Sequence, residues 1–376
     1  MDKIKVLFFM DGIGNAGGIQ EMAIKWMENL DWSRYQIDIL SYDTGKTDNY
    51  PERVKALGGK VYIIETYTRR GKALKSFEQT RKFFENHQYD IIHAHSSSKA
   101  FFVMWYAKKA GIQTRILHSH CTRFVVTKPI QRLIANLLKK PTKMLTTDYF
   151  ACSPEAGAFL FGKRALEQGK IRIVHNGIDT TVFKPNENIR NRMREELNIE
   201  NKYVIGNVGR FRPQKNHMFL MEIFKAIHEK DKEAVLVCVG DGELEDAVKK
   251  KAKEFGIQDS VMFLGFRKDV NDIMQTLDVL VMPSLFEGLP VTGVEAQAIG
   301  VPAVFATTIT IDAAILPSSS YVALEEGPEI WANKILSYKG KNRETNPHKW
   351  ILERGYDIKV ETQKLEEFYM QSVRRG

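Results

Sequence analysis

The sequence predicts an α/β protein built from two open parallel sheets, each with helices on both faces. Three observations predict it. Short apolar runs alternate with amphipathic stretches of about ten to fifteen residues, the pattern of strand–helix–strand units. The alternation stops across His175–Asn201 and then starts again. Glycines cluster where an apolar run gives way to the next amphipathic stretch, as at Gly12, Gly14, Gly17 and Gly18. A chain of 376 residues has room for two such domains at roughly 100–200 residues each.

Taken in order, apolar runs bounded by turn residues predict strands at Ile4–Met10, Gln36–Leu40, Lys60–Ile64, Asp90–Ala94, Thr114–His118, Asp148–Ala151 and Ile171–Val174. Helical spacing predicts helices at Ile19–Leu30, Lys72–Asn86, Lys99–Ala110, Pro129–Leu138 and Pro154–Phe161. The segment His175–Asn201 then carries Asn176-Gly177, Lys184-Pro185 and a charged stretch from Glu187 to Glu200. These are turn and loop signals, and a domain boundary is placed there. Strands resume at Tyr203–Val208, Ala234–Val239, Val261–Leu264, Val279–Met282 and Pro302–Phe305, with helices at Asn216–Glu229, Glu243–Phe255, Val270–Leu277 and Val291–Ile299. From about Pro328 the chain reads as helix, and Val360, Leu365, Phe368 and Tyr369 fall at helical spacing in Ile358–Gln371. The expected division is an N-terminal domain over 1–180, a C-terminal domain over 181–355 and a final helix over 356–376. Two open sheets imply a cleft, with ligands beyond the carboxyl ends of the strands.

Composition narrows the classes. Apolar residues make up 43% and charged residues 27%, which excludes disordered, collagen-like and coiled-coil chains. No run reaches the roughly 18 apolar residues of a membrane span, and Met1–Leu7 lacks the pattern of a signal peptide. Cys121, Cys152 and Cys238 are far apart and form no C-x-x-C pair, so a reducing cytoplasm and buried thiols are expected rather than disulfides or a zinc site. The net charge is +9, and it sits in the first half: residues 1–180 hold 28 Lys and Arg against 17 Asp and Glu, residues 181–376 hold 27 against 29. A basic half calls for an anionic partner such as nucleic acid, an anionic membrane face or a phosphorylated ligand.

The loops after the strands carry the candidate chemistry. The stretch from Asp11 to Gly18 reads either as a tight turn or as an anion loop at a helix start. Its spacing departs from G-x-G-x-x-G, and Asp43 is only near the end of the second strand, where a ribose-binding acid would stand. Gly209-Arg210-Phe211-Arg212-Pro213-Gln214-Lys215 places Arg210 and Lys215 on a loop beside a strand-end glycine, a pair able to clamp a diphosphate. Glu287 ends an apolar strand and Glu295 lies inside the next helix, whose N-terminal amides near Leu289–Thr292 can take phosphate oxygens. The carboxylates suit ribose or hexose hydroxyls.

The pair Glu287…Glu295, followed by Ala296-Gln297-Ala298-x-Gly300-x-Pro302, resembles the retaining nucleotide-sugar glycosyltransferases of family four, glycosyl transferases group 1. Gly209-Arg210-Phe211 with Lys215-Asn216, Gly240-Asp241-Gly242, Phe263-Leu264-Gly265-Phe266-Arg267, His175-Asn176-Gly177-Ile178-Asp179, Asp90–His95 and Gly17-Gly18-Ile19-Gln20 resemble further motifs of that family, over about residues 1–310. The Phe286-Glu287-Gly288-Leu289-Pro290 stretch is most similar to capsular and exopolysaccharide members.

The resemblance implies a GT-B fold: two Rossmann-like domains with parallel sheets facing across a cleft, and a last helix returning to the N-terminal domain. It implies a UDP-sugar donor on the C-terminal domain, a glycan or polyprenyl-linked acceptor on the N-terminal domain, transfer of a hexose-type sugar with retention, and neither metal nor cofactor. Carried over residue by residue, Glu295 holds the ribose, Glu287 the donor sugar, and Arg210 and Lys215 the diphosphate. Gly17, Gly18, Gly209, Gly288, Leu289, Pro290 and Val291 supply backbone around the donor, and Phe266 and Arg267 the base loop. An active-site histidine falls at His120, with His118 as the alternative; His93 and His95 end the neighbouring strand.

The basic half also offers a membrane surface. Ile130, Leu133, Ile134, Leu137 and Leu138 form one helical stripe flanked by Lys128, Arg132, Lys139 and Lys140. Arg69, Arg70, Lys72, Lys75, Arg81 and Lys82 lie among Phe77, Phe83 and Phe84. Each reads either as an interfacial helix on an anionic inner membrane face or as a helix packed on its own core. The competing functions are a nucleotide-sugar epimerase or a pyridoxal-bearing phosphorylase on the same fold, a sugar-nucleotide sensor, and a basic nucleic-acid-binding protein. No nucleic-acid-binding signature is present, so no nucleic acid is expected.

Overall fold

The computed structural model describes residues 3–13, 18–45, 50–68, 71–121, 129–287 and 289–374. The chain forms two compact units: residues 1–177 together with 358–376, and residues 178–357. The expected boundaries at 180/181 and 355/356 therefore fall at 177/178 and 357/358. The two ends of the second unit lie side by side, since Ile178 N–H donates to the Tyr356 carbonyl at 2.8 Å and Ile178 bridges Asp357.

The first unit is a seven-stranded parallel sheet of β1 (Ile4–Met10), β2 (Tyr35–Tyr42), β3 (Val61–Ile64), β4 (Ile91–His95), β5 (Thr114–Ser119), β6 (Asp148–Ala151) and β7 (Ile171–Ile173), in the order β3-β2-β1-β4-β5-β6-β7. β1 is buried along most of its length, so its side chains on both faces are apolar and it reads as a continuous run. One face packs Met22, Trp26 and Met27 of the helix Gly18–Asn29 and Leu365, Phe368 and Tyr369 of the helix Ile358–Val373. The other face packs Val103 and Met104 and the aromatic pair Phe83 and Phe84.

The second unit is a six-stranded parallel sheet of β8 (Tyr203–Val208), β9 (Ala234–Val239), β10 (Val261–Phe263), β11 (Val279–Met282), β12 (Ala303–Ala306) and β13 (Ser320–Val322), in the order β10-β9-β8-β11-β12-β13. In both sheets the strand order reverses beside the first strand, and open α/β sheets take ligands at that switch point. The loops after β1 and β4, and after β8 and β11, are therefore the places to look.

Three expectations change. The charged stretch read as boundary loop contains a helix, Glu187–Glu196. Asn186 caps it by accepting from Ile189 N–H at 3.1 Å. Its Arg190 and Arg194 bind the Gln275, Thr276 and Leu277 carbonyls at the end of the helix Val270–Gln275, and both reach Asp278. The helix docks through these arginines and through a short apolar stripe, with Met193 buried and Ile189 and Leu197 packed on the same core. Second, the helix predicted at Pro129–Leu138 continues to Leu145 through Pro141. Third, β13 and the helices Tyr50–Ala56 and Lys163–Glu167 were not expected: β13 opens on serine rather than an apolar run, and the two helices are too short for their periodicity to register.

Candidate active site

In the second unit the structure brings two of the predicted donor residues, Lys215 and Glu287, together at the switch point. β8 ends at Val208, and a Cβ at Gly209 would stand 3.1 Å from Lys215 Cε, so the glycine lets the lysine fold back over the strand end. Gly240, at φ 136°, lies so close that its Cβ would stand 2.2 Å from the Gly209 carbonyl oxygen, a conformation only glycine adopts easily. Asn216 takes a left-handed turn and donates to the Pro283 carbonyl at 3.1 Å. Leu285 N–H donates to the Gln214 carbonyl at 2.8 Å, and Gln214 Nε2 to the Phe286 carbonyl at 3.0 Å. The loops after β8 and β11 are thus sewn together.

These bonds bring Lys215 Nζ to 2.6 Å from Glu287 Oε1, with the side chains 20% and 11% exposed. Ser284 Oγ donates to the same carboxylate oxygen at 3.3 Å. The helix Val291–Ala298 begins at Pro290 without a side-chain cap, and the Gly293 N–H donates to the Pro290 carbonyl at 2.9 Å; the amides before it have no partner within the helix itself. Glu295, on that helix, is half-buried, and Arg210 is exposed at the head of the clamp loop. Leu289 and Val291 are half-buried and Pro290 is buried. Phe266 is 70% exposed after β10, and Arg267 beside it forks onto Asp269 at 2.8 and 2.5 Å. The Gly265 carbonyl accepts from Gly240 N–H at 2.9 Å, which lays the base loop beside the β9 loop. Gly17 and Gly288 lie outside the described residues; Gly18 opens its helix.

In the first unit the switch point holds a cavity of about 150 Å³ bordered by Asp11, His95, Ser96, Lys99, His120 and Cys121, among others. Lys99 Nζ lies 3.7 Å from Asp11 Oδ2, and Ser96 Oγ donates to Asp11 Oδ1. Beneath it, His93, His95, His118 and His120 stack in two layers, with ring centroids 4.2 Å apart for His93/His95 and for His118/His120. Trp26 covers the stack, its ring 5.2 Å from that of His118. His118 is fully buried, whereas His120 is half-buried at the rim. Burial holds His93, His95 and His118 well below the usual histidine range and pushes His120 down to about 4, so all four rings are neutral near pH 7. One nitrogen each of His93, His95 and His118 lie within 4.8 Å of one another. Sequence reasoning named the four histidines but missed Trp26, Tyr369, Asp11 and Ser96, whose partners are distant in sequence.

The three cysteines are free. Cys152 and Cys238 are buried, and burial pushes both thiols up to about 12.

The two basic stretches diverge. Leu133, Ile134, Leu137 and Met144 are exposed on the helix Pro129–Leu145, while Ala135, Thr142 and Leu145 face inward. The core-packed reading fails for Leu133, Ile134 and Leu137, while Leu138 is half-buried; Lys128 and the side chain of Ile130 lie outside the described residues. The helix Ala73–Asn86 instead buries Phe83 and Phe84, and its cations Lys75, Arg81 and Lys82 pair with Glu65, Glu85 and Glu78. It is a core-facing helix; Arg69 and Arg70 lie outside the described residues.

Two units, each with an open parallel sheet that reverses beside its first strand, make the GT-B architecture, and comparison with solved structures agrees on the fold. Anabaena Alr3699/HepE in complex with UDP superposes with a TM-score of 0.79 at 18% identity, covering 98% of this chain and 100% of that one. Residues 189–338 match the model of glycosyl transferases group 1, and residues 16–182 that of Glycosyltransferase Family 4. The putative glycosyltransferase EpsF of Bacillus subtilis (strain 168) is 30% identical over 94% of this chain and 93% of its own length. The UDP-Gal:alpha-D-GlcNAc-diphosphoundecaprenol alpha-1,3-galactosyltransferase of Escherichia coli is 29% identical over 76% and 75%. The chain belongs to the group 1, family 4 glycosyltransferases.

Proposed function

We propose that the chain transfers a hexose from a UDP-sugar, with retention and without a metal ion, to a polyprenyl-diphosphate-linked glycan in polysaccharide biosynthesis at the cytoplasmic membrane face. The observation that carries the donor reading is the Lys215–Glu287 pair at the switch point, flanked by the uncapped start of the helix Val291–Ala298. A diphosphate arriving there takes over Lys215 and releases Glu287 for sugar hydroxyls. Lys215 and Arg210 then carry the charge that develops on the leaving group, the work a metal ion does elsewhere. The UDP bound by the Anabaena neighbour and the lipid-linked substrate named for the Escherichia coli relative support the donor and acceptor classes.

The acceptor reading draws on the exposed stripe Leu133, Ile134, Leu137 and Met144, with Arg132 and Lys140 exposed on the same helix. That surface fits an anionic lipid interface. No helix among the described residues is long and apolar enough to cross a membrane.

The experiment is a thermal-shift panel of UDP, GDP, ADP and TDP, with and without magnesium, on the wild type and Glu295→Ala. A ligand at about 100 times its Kd adds roughly 2.7 kcal/mol. A shift with UDP that needs no magnesium and shrinks in Glu295→Ala is expected; no shift with any nucleotide overturns the donor reading. NMR of the product's anomeric centre tests retention, and an inverted bond rejects it.

A further inference from the structure

In the first unit, the loops after β1 and β4 meet much as their counterparts do in the second. Met10 pairs with His95 across β1 and β4, so Asp11 and Ser96 leave neighbouring strand ends side by side, and Ser96 Oγ donates to the Asp11 carboxylate. The short helical turn Ser98–Ala100 then brings Lys99 Nζ to 3.7 Å from Asp11 Oδ2. Other bonds hold the two loops: Gln20 Nε2 donates to the Gly12 carbonyl at 2.8 Å, and Tyr42 Oη to the Lys99 carbonyl at 3.4 Å. In the second unit, β8 and β11 take the places of β1 and β4 in the strand order, and their loops carry Lys215 and Glu287. Both switch points are therefore spanned by a cation and a carboxylate, with the signs exchanged. The carboxylate follows the first strand in one unit, and the cation follows it in the other.

The two pairs differ in tightness. Lys215 and Glu287 lie 2.6 Å apart with side chains 20% and 11% exposed, whereas Lys99 and Asp11 are 37% and 33% exposed. A pair as long and as exposed as Lys99–Asp11 contributes little to stability, so clipping the loops together is not its main use. Among the described residues, Lys99 is the one cationic and Asp11 the one anionic side chain bordering the cavity of about 150 Å³, because the histidines there are neutral. The cavity wall also includes Ala135, on the inward face of the helix Pro129–Leu145, whose outer face exposes Leu133, Ile134 and Leu137. One helix thus borders a charged cavity and presents an apolar stripe outside it. A ligand that fits both has an anionic head and an apolar tail.

We propose that Lys99 binds the diphosphate of a lipid-linked acceptor and that Asp11, released from Lys99, accepts a hydrogen bond from an acceptor hydroxyl. This assignment rests on the acceptor class proposed above. The ammonium of lysine suits a diphosphate as a compact charge with three donors, and a carboxylate is an acceptor only, so each takes the ligand group of matching chemistry. Ser96 keeps its bond to Asp11 when Lys99 turns away. Asp11 and the diphosphate compete for Lys99. Removing the Asp11 charge must therefore tighten diphosphate binding while it weakens use of the hydroxyl.

The test is calorimetric titration of the full chain, saturated with UDP so that the donor clamp is filled. The probes are decyl diphosphate, inorganic pyrophosphate and decyl glucoside. Decyl diphosphate is expected to bind the wild type more tightly than decyl glucoside does. Lys99→Met is expected to raise its Kd roughly tenfold or more and to leave the UDP thermal shift intact. Asp11→Asn is expected to lower the same Kd several-fold and, in transfer assays, to lower kcat/KM for the acceptor. A merely structural pair would not move the two readouts in opposite directions, and Asp11→Asn keeps the test open if Lys99→Met folds poorly. Tighter binding of decyl diphosphate than of pyrophosphate supports a lipid-linked source; equal binding rejects the lipid and leaves a free diphosphate. Unchanged decyl diphosphate affinity in Lys99→Met, or weakened affinity in Asp11→Asn, overturns the proposal and leaves the acceptor class standing. A wild type that binds neither diphosphate but glycosylates a phosphate-free glycan rejects the acceptor class, and this assignment with it.

Discussion

At the scale of single residues, the donor site turns on a pair of opposite charges that serve the empty protein as a structural link. Lys215 and Glu287 satisfy each other, so replacing one leaves the other half-buried and unpaired. Lys215→Ala is expected to lower kcat/KM by roughly 10²–10³-fold, the range for losing one electrostatic contact to developing charge. Steady-state transfer kinetics check it, and a loss under about tenfold would remove Lys215 from the diphosphate. Both residues were legible in the sequence, because strand-end loops with charge beside glycine are local patterns. The bond between them was not, since it depends on how the loops after β8 and β11 interlock. Likewise His93, His95, His118 and His120 were visible as candidates, but Tyr369 reaches His93 across 276 residues of chain. Nothing in local spacing announces such a contact.

At the scale of elements, the helix Pro129–Leu145 and the helix Glu187–Glu196 invert their sequence appearance. The first is amphipathic yet turns much of its apolar stripe outward. Replacing both Leu133 and Leu137 by Glu should abolish flotation with anionic vesicles while shifting stability by no more than about 0.5 kcal/mol per site, as for surface substitutions. Unchanged flotation would place membrane contact elsewhere. The second helix has few apolar residues, Ile189 and Met193 with Leu197 at its end, and is held also by its cap and by arginines on carbonyls, so its charged composition hides the short apolar stripe. Asn186→Ala should cost about 1 kcal/mol in denaturant unfolding. The strands read from sequence were found within a residue or two, down to the three residues of β7 and β10, because buried parallel strands are continuous apolar runs; β13 opens on Ser320 after Ser318 and Ser319 and makes no such run.

At the scale of the whole molecule, the buried histidines tie stability to pH. Each is neutral in the fold but takes a proton near pH 6.5 when unfolded, so below that value the unfolded chain binds more protons. Their contribution is complete above about pH 6.5 and is lost as pH falls toward the folded value of about 4 at His120. One such ring costs about 1.4 kcal/mol by pH 5.5. Urea unfolding should show the first unit weakening from pH 7 to pH 5, and His118→Phe should flatten that slope. An equally steep slope in the variant would put the proton uptake on other groups.

The same first unit is discontinuous in sequence: its sheet is finished by β7, but the helix bearing Leu365, Phe368 and Tyr369 comes after all of the second unit. During translation, the ribosome must therefore deliver the entire second unit before the first can close its core. A nascent chain stalled after Asp357 should hold a protease-resistant second unit beside a first unit still open to cleavage. The order of synthesis and the order of completion run in opposite directions, and the early half spends that interval exposed to chaperones.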